Sequence, residues 1–483
     1  MTDCTFRMSH AALVAALFAT PVFAASDPAI EQQLNALQQA LAKQQEQLDQ
    51  QQQEIERLRQ QLAAQSSGGA ATVEQIASDV QQAKLAAQDA PRVSMTNARP
   101  TITSADGRSS VSLRTVVQLD AAHHDQDPDR GAADFRRGSV GATANRETAA
   151  ARDLSDGAYF RRARFGFEGN VARDFNYRVV AELGGSGTEG PARINDFWIG
   201  YTGFAPFAIQ VGAFSPPANM DDSIGVESSL FIERASPAEL SRTLGGADGR
   251  IGLGLRGNGA RWMSALTLTT RTVNDAEVFD SQLAAVGRFG TLLATAADYN
   301  VHVGLNGTYV FQPPDQGSTA AAGQRHVMRL RDRPEIRVDS TRLVDTGSID
   351  TDSAYVYGLE AAANWKNWYL QAESFRYGFE RTAATALLPD PSFDGFYVQG
   401  AYKLWSHEDY ALSPFVRWEQ FNTAKSYADL GAGLTPDAAG AERVVTVGAN
   451  FRVSQGIVLK ADYQRFRENA DLNRFNLGLG WSF

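Results

Sequence analysis

The fold class predicted by this 483-residue sequence is all-β: a transmembrane antiparallel β-barrel preceded by an N-terminal α-helical coiled coil. Three observations predict it. Apolar–polar alternation recurs in runs of about ten residues from position 107 onward. Short turns and long polar connections link these runs. A heptad-spaced apolar stripe lies near the N-terminus. The mean hydropathy of −0.29 resembles that of a soluble protein. A barrel strand shows lipid only one of its two faces, however, so apolar and polar residues average out.

The chain reads as four regions. Arg7 and His10 precede the apolar run 11–23, and Val22-Phe23-Ala24 fits a small-x-small cleavage site. Residues 1–24 are therefore expected to be a signal peptide. From 26 to 65, Ile30, Leu34, Leu37, Leu41, Leu48, Ile55, Leu58 and Leu62 alternate spacings of four and three, with Gln44 and Gln51 filling the gaps. That is a coiled-coil seam whose polar layers would fix register at some cost in stability. A lone helix with so narrow a stripe buries little, so self-association is expected. Ser66-Ser67-Gly68-Gly69 ends the helix, and 66–106, with Pro91 and Pro100, reads as a linker. Residues 107–483 form the barrel domain.

Several runs carry the alternation. Val111, Leu113, Val117 and Leu119 share one face. Phe175, Tyr177, Val179 and Ala181 alternate with Asn176, Arg178 and Glu182. Ile251, Leu253 and Leu255 alternate with Arg250, Gly252, Gly254 and Arg256, and a further run covers 299–311. Short turns at 257–259, 364–367 and 454–456 contrast with long segments at 123–155, 216–246, 382–391 and 423–440, which suggests a periplasmic and an extracellular rim. About seventeen candidate strands can be read, and 325–337 counts as one or as two broken at Pro334. Closure with both ends on one side requires an even number, so sixteen and eighteen stay open. The last run places Phe475, Leu477, Leu479, Trp481 and Phe483 on one face. An aromatic-terminated final strand resembles the signal read by the bacterial outer-membrane assembly machinery, with Trp481 and Phe483 carrying it.

Charge narrows the function. Six lysines and 39 arginines make up the 45 basic residues, yet the net charge is −10. A nucleic-acid binder would more often be basic overall. Arginine keeps its charge when partly desolvated and holds oxyanions through a planar fork. With Phe165 and Phe167 facing lipid, alternation turns Arg162, Arg164 and Glu168 to the lumen, and Arg178, Arg250, Arg256 and Arg452 likewise. Arg329, Arg331 and Arg333 share a parity and predict a ladder of cations about 6–7 Å apart. A lipid-facing arginine near the midplane would cost roughly 2–4 kcal/mol, which supports the inward assignment. Glu168, Glu182, Asp196, Asp248, Glu360, Glu373 and Asp462 are available to pair with these arginines, so any one of them is as well read as a brace of the wall. Asp125, Asp127, Asp129 and Gly131 resemble the start of a calcium loop, but Pro128 interrupts it and Arg136 stands where the closing glutamate belongs. The sequence holds no P-loop, no HExxH and no GxSxG with placed partners. Neither an enzyme, nor a metal, nor a cofactor is expected. Cys4, the only cysteine, falls in the signal peptide.

The stretch Tyr159-Phe160-Arg161-Arg162-Ala163-Arg164-Phe165-Gly166-Phe167-Glu168-Gly169 resembles an early strand of the phosphate-selective porin O/P family. So do Asn195-Asp196, Val211-Gly212-Ala213-Phe214 before Pro217, and Ile232-Glu233-Arg234. The resemblance covers roughly 107–483. It implies a sixteen-stranded barrel in the outer membrane, a homotrimeric assembly, and a loop at 216–246 folded into the lumen, where Arg234 and Arg242 are the candidates to line the constriction and Glu233 to anchor it. It also implies phosphate or a related oxyanion as solute. Two departures stand out. Asp221-Asp222-Ser223-Ile224-Gly225-Val226-Glu227 places acids where phosphate-selective members carry lysines, and Val116 stands where the first strand often has an arginine. The reading is a passive, anion-favouring porin. The alternatives are a weakly selective pore for small solutes, or a barrel anchoring an envelope tether through a coiled coil in the periplasm.

Overall fold

The computed structural model describes residues 49–58, 61, 77–82, 84, 90–96, 99–126, 154–185, 192–225, 228–275, 279–320, 325–332, 336–339, 344–346, 348–383, 390–422, 441–467 and 472–483. The chain divides into two compact units, Met1–Gln88 and Asp89–Phe483. In the first, residues 49–58, 61, 77–82 and 84 are helical and, but for Leu58, exposed. The signal peptide and most of the expected coiled coil lie outside the described residues.

A sheet that crosses a bilayer must pair its backbone N–H and C=O groups internally, and the sheet of the second unit meets that requirement by closing on itself. Sixteen antiparallel strands close it among the described residues. In chain order they are β1 Ser110–Gln126, β2 Gly157–Val171, β3 Phe175–Glu182, β4 Arg193–Phe204, β5 Phe207–Phe214, β6 Arg250–Asn258, β7 Trp262–Thr272, β8 Leu283–Thr295, β9 Tyr299–Gln312, β10 Ser353–Trp365, β11 Trp368–Glu380, β12 Ser392–Tyr402, β13 Tyr410–Asn422, β14 Ala441–Ser454, β15 Ile457–Phe466 and β16 Leu472–Ser482. Each pairs with the next, and β16 closes on β1 in the register Leu479↔Leu119. Thr115 and Phe483 exchange N–H···O=C bonds of 2.9 and 3.1 Å, so the last residue of the chain helps to seal the seam. The alternative of eighteen strands is thereby settled in favour of sixteen.

Alternation works as the sequence predicts. On β16, Phe475, Leu477 and Trp481 are about half exposed on the outer face, whereas Asn476 and Arg474 are buried inside. Phe165 and Phe167 of β2, and Leu253 and Leu255 of β6, also face outward. Aromatic contacts such as Phe175–Tyr201, Trp368–Tyr402 and Trp481–Phe483 gather near the short-turn rim. The stretch expected as a linker contains a hairpin, Arg92–Thr96 with Arg99–Thr103, whose second strand pairs with Ser110–Ser112 of β1. Arg99 reaches into the lumen to pair with Glu168.

Candidate 325–337 is not a wall strand. Val327–Met328 pairs with Ile349–Asp350, and Arg331–Asp332 pairs with Val344–Asp345, in two small ladders separate from the barrel sheet. They belong to the long connection between β9 and β10, which folds inward beside the 216–246 loop. There Met328, Leu330, Val344 and Ile349 are buried with Leu240 and Leu244. The alternation is real, but protein inside the lumen, not lipid, covers the apolar face.

Leu477→Arg, at the middle of β16 on the lipid face, is expected to destabilise the barrel by about 2–4 kcal/mol in urea unfolding from vesicles. A change below 0.5 kcal/mol would contradict the assigned face.

Candidate functional site: a constriction between two charged vestibules

The 216–246 loop leaves the wall after β5 and returns at β6, bearing two helices, α1 Met220–Ser223 and α2 Ser236–Gly245. Nearly every described residue from Phe231 to Gly246 is buried. Pro237 sits in the first turn of α2, where its missing N–H is no loss. Wall carboxylates meet the unpaired N–H groups at the helix starts. Glu373 of β11 accepts from Met220 and Asp221 at 2.8 and 3.0 Å, and Glu419 of β13 accepts from Ser236 at 3.1 Å. Asn219 caps α1, and Asp221 accepts from the Ala235 N–H at 2.9 Å.

Cations of the wall hold the loop as well. Arg161 and Arg162 both pair with Glu233, the latter at 3.0 Å, and Arg162 also donates to Gln118. Lys460 donates to the Phe231 carbonyl at 2.6 Å, and Arg417 to the Glu233 carbonyl at 2.9 Å. Arg417 also stacks 4.2 Å from the Phe231 ring centroid. Burial works to raise the Glu233 carboxyl, but Arg161, Arg162 and Arg337 outweigh it and hold the group well below the usual carboxylate range. Glu239 of α2 follows the same pattern. Burial raises it, Arg242, Arg337 and Arg234 lower it more, and it rests at about 2.

Arg161 was not assigned inward by parity. A β-bulge places it there: Gln118 pairs with Arg162 and Leu119 with Phe160, leaving Arg161 as the extra residue. Two adjacent arginines in a lipid-flanked strand are themselves the signal, because strict alternation would put one of them into hydrocarbon.

The other predicted residues divide into braces and vestibule residues. Arg164 pairs with Glu182 at 2.8 Å and with Asp248 at 2.8 Å. Arg178 pairs with Glu168 at 2.8 Å and lies 5.5 Å from the Trp198 ring centroid. Arg250 donates to the carbonyls of Gly246 and Thr270, and Arg256 lies over Phe214. Arg234 sits 3.4 Å from both Asp222 and Glu239. Arg242 pairs with Asp222 at 2.6 Å, Glu239 at 3.4 Å and Asp248 at 2.7 Å. Asp221 and Asp222, the acids in place of lysines, are therefore engaged inside the loop.

On the long-loop side of the constriction, a cavity of about 630 Å³ is lined by Arg161, Arg193, Arg242, Arg329, Arg331 and Arg337 against Glu239, Asp248, Asp275 and Asp332. Arg329 and Arg331 thus meet the lumen from a loop and not from a ladder on the wall; Arg333 lies outside the described residues. Arg193 and Arg337 were missed, since one opens a strand and the other sits in the irregular connection. Arg337 pairs with Glu239 at 2.9 Å, tying the second loop to α2. On the short-turn side a cavity of about 710 Å³ is lined by Lys366, Lys403 and Arg452 against Asp221, Glu408 and Asp409. The outer vestibule therefore carries an excess of positive charge, whereas the inner one is balanced. Among the described residues there is no cluster of His, Cys, Asp and Glu able to hold a metal ion.

The family model described as phosphate-selective porin O and P matches residues 136–470. An uncharacterized protein of Caulobacter vibrioides is 26% identical over 295 residues, covering 58% of this chain and 54% of its own length. The chain thus spans about half of that curated relative. Among solved structures, an anion-selective porin from Comamonas acidovorans is similar at 12% identity, with 78% of this chain and 100% of that chain covered and a TM-score of 0.50. A loop-deletion variant of OmpT, an outer membrane protein of Vibrio cholerae, also gives 12% identity, with 78% and 100% coverage and a TM-score of 0.48. With the family match spanning more than half of its length and sixteen strands closed into a barrel, the chain belongs to the phosphate-selective porin O and P family.

Proposed function

We propose that this porin is a passive channel favouring anions, with phosphate or a related oxyanion as its first solute. The observation that carries the reading is the outer vestibule, where six guanidinium groups face four carboxylates directly above the constriction. Low-dielectric walls focus such a field and raise the local anion concentration. The acidic constriction sequence counts less against this than it does on paper, because Asp221 and Asp222 accept hydrogen bonds within the loop. A weakly selective pore is the second reading, favoured by the balanced inner vestibule. Trimeric assembly, reading of Trp481 and Phe483 by the assembly machinery, and a periplasmic coiled coil complete the proposal.

The division between vestibule and brace is testable. The Arg331 side chain is exposed and has no ion-pair or hydrogen-bond partner among the described residues, whereas Arg162 is buried and paired. In planar bilayers under a potassium chloride gradient, the wild-type reversal potential is expected to report anion preference, and a cation-selective result would overturn the reading. Arg331→Glu is expected to lower that preference with the barrel intact. Arg162→Glu is expected to act on stability, leaving Glu233 facing a like charge and costing about 3–5 kcal/mol.

The pH dependence follows from the loop carboxyls. Glu239 is depressed from 4.5 to about 2, and Glu233 is also lowered. Depressed carboxyls contribute stability that is full above the unfolded value and is lost as pH falls through the folded one. Limited proteolysis should therefore find the loop seated from pH 7 to 5 and released between 4.5 and 2. Release already between pH 7 and 5 would show that these ion pairs do not seat it.

A further inference from the structure

Asp248 lies directly after the constriction loop, and two cations from opposite sides meet on it. Its Oδ1 accepts from Arg242 Nη2 at 2.7 Å, and its Oδ2 from Arg164 Nη2 at 2.8 Å. Arg242 belongs to the loop helix α2 and Arg164 to the wall strand β2, so the carboxylate bridges loop and wall. Its side chain is 32% exposed and lines the floor of the outer vestibule, unlike the buried Glu182 beside it.

Each arginine has a second, independent anchor. Arg164 Nε is held by Glu182 at 2.8 Å, and Arg242 Nε by Asp222 at 2.6 Å. The two Nη2 atoms would thus keep their aim without Asp248. Backbone on both sides of Asp248 is left-handed, with φ of 80° at Ala247 and 69° at Gly249. A non-glycine residue in that region is uncommon, and such strain persists where surrounding contacts enforce it. The two guanidiniums hold the Asp248 side chain, while the turn itself is also fixed by the Val273 N–H on the Gly249 carbonyl and by Arg250 on the Gly246 carbonyl. Burial alone would raise its carboxyl, but Arg242 and Arg164 hold it well below the ordinary carboxylate range, so it is a fixed anion.

We propose that Asp248 is a built-in counter-anion occupying the place that a translocating oxyanion takes between Arg164 and Arg242, and that it sets how tightly that oxyanion binds. Two converging N–H donors present to a carboxylate what they would present to two oxygens of an inorganic oxyanion. A solute leaving the vestibule exchanges with Asp248 and meets guanidiniums already placed. The internal competitor weakens the site, which suits conduction, because an anion must enter and also leave. This rests on the anion-favouring reading above and adds a residue that determines affinity.

The test compares wild type, Asp248→Asn and Asp248→Ser in planar bilayers, each verified as a folded barrel by circular dichroism. Inorganic phosphate is titrated into a chloride current. If Asp248 competes, both variants gain anion preference and show half-block at a phosphate concentration lower by about tenfold. Unchanged block in both variants overturns the proposal. So does a larger conductance with weaker selectivity, since that marks Asp248 as a strut holding the loop. A cation-selective wild type would instead defeat the anion-favouring reading itself, so the two failures are distinguishable.

Discussion

Hydrocarbon offers no partner to a backbone amide, and the rest of the structure depends on that constraint. It forces the sheet to close, and closure gives each of the sixteen strands one face toward lipid and one toward an enclosed space. Charged side chains then have only one inexpensive place to go. The pairing of β16 with β1, sealed by Thr115 and Phe483, is the step that turns a sheet with two edges into a wall. An interior dense with arginine follows from closure as much as from function.

A lumen of this width needs filling before it can select. The loop at 216–246 is fixed by buried polar contacts to several strands of the wall: Glu373 of β11, Glu419 of β13, Lys460 of β15, and Arg161 and Arg162 of β2. Buried ion pairs contribute little net stability once desolvation is counted, but breaking one partner is costly. Such contacts therefore specify one seating of the loop against all others. The connection between β9 and β10 adds a second layer, with Leu330 and Ile349 packed on α2 and Arg337 paired with Glu239.

Much of this was legible in the sequence. Outward Phe165, Phe167, Leu253 and Leu255, inward Arg162, Arg164 and Arg178, and the inward loop all follow from period-two alternation and the family resemblance. Two kinds of information were not. Alternation reports that a face is apolar without saying what covers it, and in the run 325–337 Met328 and Leu330 are covered by α2 and not by lipid. Parity also assumes an unbroken ladder, and one bulge at Gln118–Leu119 reverses the assignment of Arg161. The same limit applies to charge: Asp221 and Asp222 look repulsive to anions in sequence, yet three-dimensional pairing engages them locally. The hairpin at 92–103 escaped notice because its five-residue strands are too short for the barrel pattern.

Nearly every arginine at the constriction has a carboxylate within reach, and this pairing has a physical use. An unpaired guanidinium on a flexible stem is a poorly placed charge that loses rotamer freedom on meeting a ligand. A guanidinium fixed through Nε to Glu182 or Asp222 presents its remaining N–H groups in a set direction, so that freedom is already lost on folding. The same carboxylates attenuate the field of the guanidiniums. Fixed direction and moderated attraction are what a passive channel requires, because flux falls if the solute is either excluded or trapped. An even ratio of arginine to acid at a constriction is therefore compatible with anion preference, provided that the acids hold the arginines from behind while the N–H groups face the path. Asp248 departs from this arrangement, being a partly exposed carboxylate of the outer vestibule that takes an N–H from both Arg164 and Arg242.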